Sequence, residues 1–312
     1  MTTFAAIDIG THSILLLVGA PQPDGTMRVL DERSSLPRLG EKLKETGRLA
    51  DAAMERAIIV LKEYRQAIDT YAVTDVAIVG TEALRRASNA SAFLARIKQE
   101  TTFEVEVISG PREAALTFAA AAHDFGNDIA VIDIGGGSTE VIRLVDPKNF
   151  TSGITMVSMP MGSVVLTEMF LRSDPVTDAE ELALRNYIQD ILTSQTGPAR
   201  RTGPIRLIAT AGTATTVAAV ALRLTTYDQA KVHGFTITRD QIASLLTTLK
   251  ERTIAERKKI PGLHPQRADV ILAGATILAL AMDHFHHPEV MVSDRGVRWG
   301  LFYERYGLTP RV

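Results

Sequence analysis

Two carboxylates flank a glycine-rich turn in the middle of the chain. Asp133 sits in the apolar run Ala130-Val131-Ile132-Asp133-Ile134, and Gly135-Gly136-Gly137-Ser138-Thr139 then leads to Glu140. A short Val/Ile run reads as a buried strand. Glycines at its end let backbone N–H groups approach an anion that side chains would hold off. The same order of residues occurs near the N-terminus, where Ala5-Ala6-Ile7-Asp8-Ile9 runs into Gly10, Thr11, His12 and Ser13. Such loops can hold phosphoryl oxygens through backbone and hydroxyl donors, with Gly212 and Thr213 adding a third turn of the same kind. Asp8, Asp133 and Glu140 offer hard oxygen ligands, and Mg²⁺ is the ion that prefers carboxylate, water and phosphate oxygens.

The elements that position these residues recur in order. The segment Asp75 to Thr81 runs into a helical stretch from Glu82, and Ile205 to Thr213 into one from Ala214. Val105 to Gly110 precedes a helix around Glu113, and Val290 to Gly296 precedes one around Trp299. Three ordered strand-to-loop pairs point to a duplicated α/β domain with a cleft between the copies. The first copy is expected over 1–124 and the second over 125–296, with Asp124 to Asp128 as the turn between them and 297–312 packing back on the first. Thr26 to Ser34 and Ser35 to Leu43 read as two further strands after the turn Pro21 to Gly25. Helical spacing covers Leu49 to Tyr71, Ala92 to Glu100, Asp178 to Thr193 and Gln241 to Arg252. Gln195 to Pro204 reads as a loop, and Pro265 as the start of a small-residue helix, Ala268 to Phe285. Pro111 suits a first helical turn, which puts Glu113 where the helix dipole favours a carboxylate.

A length of 312 residues accommodates about two domains. Hydrophobic residues make up 46% and charged residues 22%, an ordinary globular balance. Cysteine is absent, which rules out disulfides, thiolate metal sites and a cysteine nucleophile. The net charge of −2 gives no general attraction for nucleic acid. With no signal pattern and no long apolar run, a cytoplasmic protein without a membrane segment is expected.

The motifs DIGTHS, GTEALRRASN, ISGPREA, DIGGGSTE, GTATT, PGLHPQRADVI and SDRGVRWG occur in this order. With them the sequence closely resembles the exopolyphosphatase and guanosine pentaphosphate phosphatase family over nearly its whole length. The resemblance implies duplicated ribonuclease-H-like domains of the actin, sugar kinase and Hsp70 type around an interdomain cleft. It also implies Mg²⁺-dependent release of a terminal phosphate from inorganic polyphosphate or guanosine pentaphosphate. By the same resemblance Glu113 is the catalytic base, Asp133 and Glu140 hold metal and water, and Arg85 contacts the phosphate. A homodimer is in keeping with the family, and a C-terminal HD-type domain is not expected in this chain.

His12 stands where the family usually has Asn, and Arg112 where it has a first glutamate. Arg112 beside Glu113 would favour a polyanion, and Arg257, Lys258, Lys259, His264, Arg267 and Arg295 are candidates for a polyanion track. His284, His286 and His287 suit a helix C-terminus better than a metal site. A guanosine pentaphosphate phosphatase, a kinase on the same fold and a non-catalytic phosphonucleotide sensor are the competing readings.

Overall fold

The computed structural model describes residues 2–23, 26–145, 153–197 and 205–307. Asp24 and Gly25 of the expected Pro21 to Gly25 turn, 198–204 of the expected Gln195 to Pro204 loop, and 308–312 lie outside them. The chain divides into two compact units, Met1–Asp124 with Gly296–Val312, and Phe125–Arg295.

Among the described residues the first unit holds five strands: β1 (Phe4–Ile9), β2 (Ile14–Pro21), β3 (Met27–Ser35), β4 (Asp75–Gly80) and β5 (Glu106–Val107). Their order across the sheet is β3-β2-β1-β4-β5. The hairpin strands β1, β2 and β3 pair antiparallel, and β1, β4 and β5 pair parallel. Side chains alternate faces along a strand, and both faces are covered. Ala5, Ile7 and Ile9 pack with the helices Asp51–Thr70 and Ala90–Thr101, whereas Ala6 and Leu17 pack with Leu116, Leu301 and Phe302 on the other side. Full burial of a side chain such as Ile7 or Leu17 stabilises by about 1.5–3 kcal/mol, which explains why β1 is apolar except for Asp8.

The second unit repeats this plan with β6 (Ile129–Ile134), β7 (Thr139–Leu144), β8 (Ile154–Met159) and β9 (Arg206–Thr210), followed by β10 (Thr236–Thr238) and β11 (Glu289–Val292). The order β8-β7-β6-β9-β11 matches that of the first sheet, and β10 adds an outer antiparallel strand. The helix Ile271–His284 lies at the centre of this unit, with every residue from Ile271 to Met282 buried. A helix apolar all round is a core helix.

The fold is the duplicated α/β class expected from the repeats. Three local expectations need correction. Ser35 to Leu43 is not a second strand, because Pro37 and the left-handed Arg38 turn the chain into a loop. Only Glu106 and Val107 of the Val105 to Gly110 segment pair as a strand, since the helix Gly110–Phe125 begins at once. Pro265–Arg267 is a separate 3₁₀ turn, and the helix after it starts only at Ile271. Among the described residues no helix is long and apolar enough to cross a membrane.

Candidate active site

In the first unit β1 delivers Asp8 to a tight turn. Gly10 N–H donates to Ser13 C=O at 2.9 Å, and a Cβ on Gly10 would stand 3.1 Å from that oxygen. The loop is held from outside by the segment misread as a strand. Arg38 N–H donates to His12 C=O at 3.1 Å and Gly40 N–H to Thr11 C=O at 2.8 Å. Arg38 has φ of +56°, a strained conformation of the sort found near functional loops. The His12 side chain is buried, while Thr11 and Ser13 are half-buried.

Asp8 is also buried, and its Oδ1 has no hydrogen-bond partner among the described residues. Burial pushes its carboxyl up to about 7, the charge of Glu113 adds to the rise, and Arg298 opposes it. Glu113 stands in the first turn of Gly110–Phe125 and accepts from Arg85 Nη1 at 2.6 Å. The same nitrogen donates to Ile108 C=O at 2.9 Å. Burial raises the Glu113 carboxyl, and Arg85 holds it back by charge and hydrogen bond. A carboxyl raised towards neutrality is suited to accepting a proton. Arg85 is 27% and Glu113 22% exposed at the side chain, so both can meet a ligand.

Sequence reasoning missed the support behind Asp8. Arg298 is buried and donates through Nε to Glu32 Oε1 at 3.1 Å, and Trp299 Nε1 donates to the same oxygen at 3.1 Å. The motif SDRGVRWG contains both donors, but their acceptor on β3 lies 266 residues away in sequence.

The second unit builds the equivalent turn. Gly135 N–H donates to Ser138 C=O at 3.0 Å, the counterpart of the Gly10 bond. Asp133 and Glu140 are direct register partners of the antiparallel pair β6–β7, so their side chains share one face at Cβ separations of about 4.5–5.5 Å. Two carboxylates placed so repel unless a cation or proton lies with them. The helix Ser163–Phe170 fixes the loop carbonyls: Ser163 N–H donates to Gly135 C=O at 2.9 Å, and Val164 N–H to Gly136 C=O at 3.0 Å. Gly162 permits this approach, because a Cβ there would come within 2.3 Å of Gly136 C and O.

At the third turn Ala211 takes φ of +66°, and Gly212 follows at the start of the helix Ala211–Ala221. The Arg267 guanidinium lies so close that a Cβ on Gly212 would stand 2.0 Å from Nη1. Burial pulls the Arg267 pKa down to about 10. Two predicted residues from distant segments are thus brought together.

Several expectations fail on geometry. The Thr139 side chain is wholly buried and its hydroxyl donates to Met161 C=O at 2.6 Å, so it does not offer a phosphate contact. Thr213 is buried with its side chain against Gly274, which leaves only its backbone for an anion. Arg257 cannot belong to a surface track: it is 1% exposed, and Nε donates to Leu249 C=O at 2.6 Å. Lys258 and Lys259 are exposed. Arg112 is bound by both Nη atoms to Glu304, at 3.0 and 2.8 Å, which balances the charge expected to draw a polyanion. Arg295 is half-buried, and its carbonyl accepts from Ser293 Oγ at 3.0 Å.

Among the described residues no group of three or more His, Asp or Glu side chains is gathered into a cation cage. The oxygen donors nonetheless fit Mg²⁺, which uses one or two carboxylates together with water and substrate phosphate. The partnerless Asp8 Oδ1 and the facing Asp133–Glu140 pair are the groups suited to it.

Two sheets of one topology, each with a glycine turn after an Asp-bearing first strand, define a duplicated α/β protein. Within that class the chain belongs to the Ppx/GppA phosphatase family, whose pattern it matches over residues 20–308. It is 33% identical over 293 residues to Exopolyphosphatase 2 of Mycobacterium tuberculosis, covering 89% of each chain. A crystal structure of the Aquifex aeolicus Ppx/GppA family member superposes with a TM-score of 0.80 at 35% identity, covering 98% of this chain and 97% of that one. The bifunctional 3-dehydroquinate synthase/phosphatase of Fusobacterium nucleatum is 30% identical over 96% of this chain, which spans 46% of that longer protein.

Proposed function

We propose that this protein is an exopolyphosphatase that releases terminal orthophosphate from inorganic polyphosphate with Mg²⁺, and that guanosine pentaphosphate is its second substrate. The carrying observation is the Glu113–Arg85 pair beside buried Asp8 in the first unit. Glu113 takes a proton from the attacking water, and Arg85, which presents a planar guanidinium, binds the phosphoryl oxygens. Backbone N–H groups of the turn that follows Gly10, in the same unit, stabilise the charge that develops on them. Mg²⁺, held by Asp8 or by Asp133 and Glu140, supplies charge neutralisation when bound.

The test is phosphate release from long polyphosphate, short polyphosphate and guanosine pentaphosphate by wild type and Glu113→Ala. Wild type should turn over polyphosphate, and the variant should lose about 10²–10⁴-fold in kcat while substrate binding survives. Release from none of the three substrates would reject the proposal, and unchanged turnover in the variant would remove Glu113 from its role.

A further inference from the structure

The row of residues that begins with Asp133 does not end at Glu140. In the antiparallel pair β7–β8 the register partner of Glu140 is Ser158, so Asp133, Glu140 and Ser158 lie side by side on one face across three strands. Ser158 is exposed on the edge strand, and its Oγ donates to Glu140 Oε1 at 2.6 Å. That length is typical of a hydroxyl bound to an ionised carboxylate, and such bonds are about twice as strong as neutral ones. A glutamate on a strand has three rotatable side-chain bonds. Anchoring one of its oxygens removes much of that freedom.

We infer that Ser158 is a positioning residue: its hydroxyl fixes the Glu140 carboxylate in the orientation that, with Asp133, accepts a divalent cation. The inference rests on the cation reading of the proposed function. Nothing in the local sequence marks the role, because Ser158 lies 18 residues beyond Glu140 and outside every motif that carries the family resemblance. Partners that orient a metal-binding carboxylate typically contribute 10–100-fold in metal affinity. The exposed strand position tolerates β-branched residues, so the hydroxyl can be tested at nearly constant shape.

The experiment compares wild type, Ser158→Thr and Ser158→Val, which differ at the tested atom only in carrying a hydroxyl or a methyl. Mn²⁺ binding to the substrate-free full chain is followed by the electron paramagnetic resonance signal of the free ion, and circular dichroism checks folding. Ser158→Val should weaken Mn²⁺ binding by about tenfold, and Ser158→Thr should stay within about twofold of wild type. Equal binding by all three, or equal loss in both variants, overturns the role of the hydroxyl while leaving the cation site standing. A wild type that binds no Mn²⁺ overturns the cation reading together with this inference.

Discussion

Glu113 and Arg85 hold each other in this structure, so the proposed base and the proposed phosphate-binding cation share a single contact. A phosphate that draws Arg85 away leaves Glu113 with burial as its main influence, and its affinity for a proton rises. Asp8 carries the larger perturbation. Its pKa is about 7 in the folded chain against a usual 3.8, so between these values the folded state keeps a proton that the unfolded state has released. Stability therefore falls as pH rises through this window, by at most about 4 kcal/mol. Without divalent cations, Asp8→Asn should raise the melting temperature at pH 8 and change it little at pH 4. Thermal unfolding at both pH values decides, and an equal effect at the two would show that Asp8 is ionised throughout. The residue types at these positions were legible in sequence, because Asp after an apolar run and Glu in a first helical turn carry local signals. The fates of Thr139 and Arg257 were not. A threonine next to a glycine turn and an arginine in a basic cluster look available until the sheet or a neighbouring helix closes over them.

At the scale of elements, each glycine turn is shaped by a segment that follows it at some distance. In the second unit that segment is the start of Ser163–Phe170, whose N–H groups take the carbonyls of Gly135 and Gly136. Unsatisfied N–H groups at a helix start seek such acceptors, so the pairing fixes loop and helix together. Gly162→Ala should push the two apart, costing about 1–3 kcal/mol in stability and sharply reducing phosphate release. Chemical denaturation and the phosphate assay would show it, and a variant equal to wild type in both would mean that the loop accommodates the methyl freely. The first unit uses Arg38 and Gly40 for the same purpose, and here the strand expectation fails. Ser35 to Leu43 carries Pro37 and Gly40 and no β-branched or aromatic residue, and the Arg38 and Gly40 N–H groups donate to a turn nearly thirty residues earlier in the chain. Alternation and propensity report local preference, whereas this pairing is non-local.

At the scale of the molecule, the first unit is discontinuous, since Gly296–Val312 joins Met1–Asp124. The helix Val297–Arg305 supplies Trp299, Leu301 and Phe302 to a core that contains Ala6, Leu17 and Leu116. It is also tied by Arg298 to Glu32, by Glu304 to Arg112, and by Tyr306, whose hydroxyl donates to Ala5 C=O at 3.2 Å. Ending the chain after Arg295 should therefore unfold the first unit and leave the second folded. Hydrogen exchange by mass spectrometry would show β1 and β2 losing protection while β6 and β9 keep theirs, and unchanged protection of β1 would refute the dependence. The order in which the units appear during biosynthesis follows from the same feature. The second unit is one continuous stretch and can close as soon as it leaves the ribosome. The first must wait with one apolar face of its sheet only partly covered until residues 296–307 emerge, so on the nascent chain it is the part that a chaperone would meet.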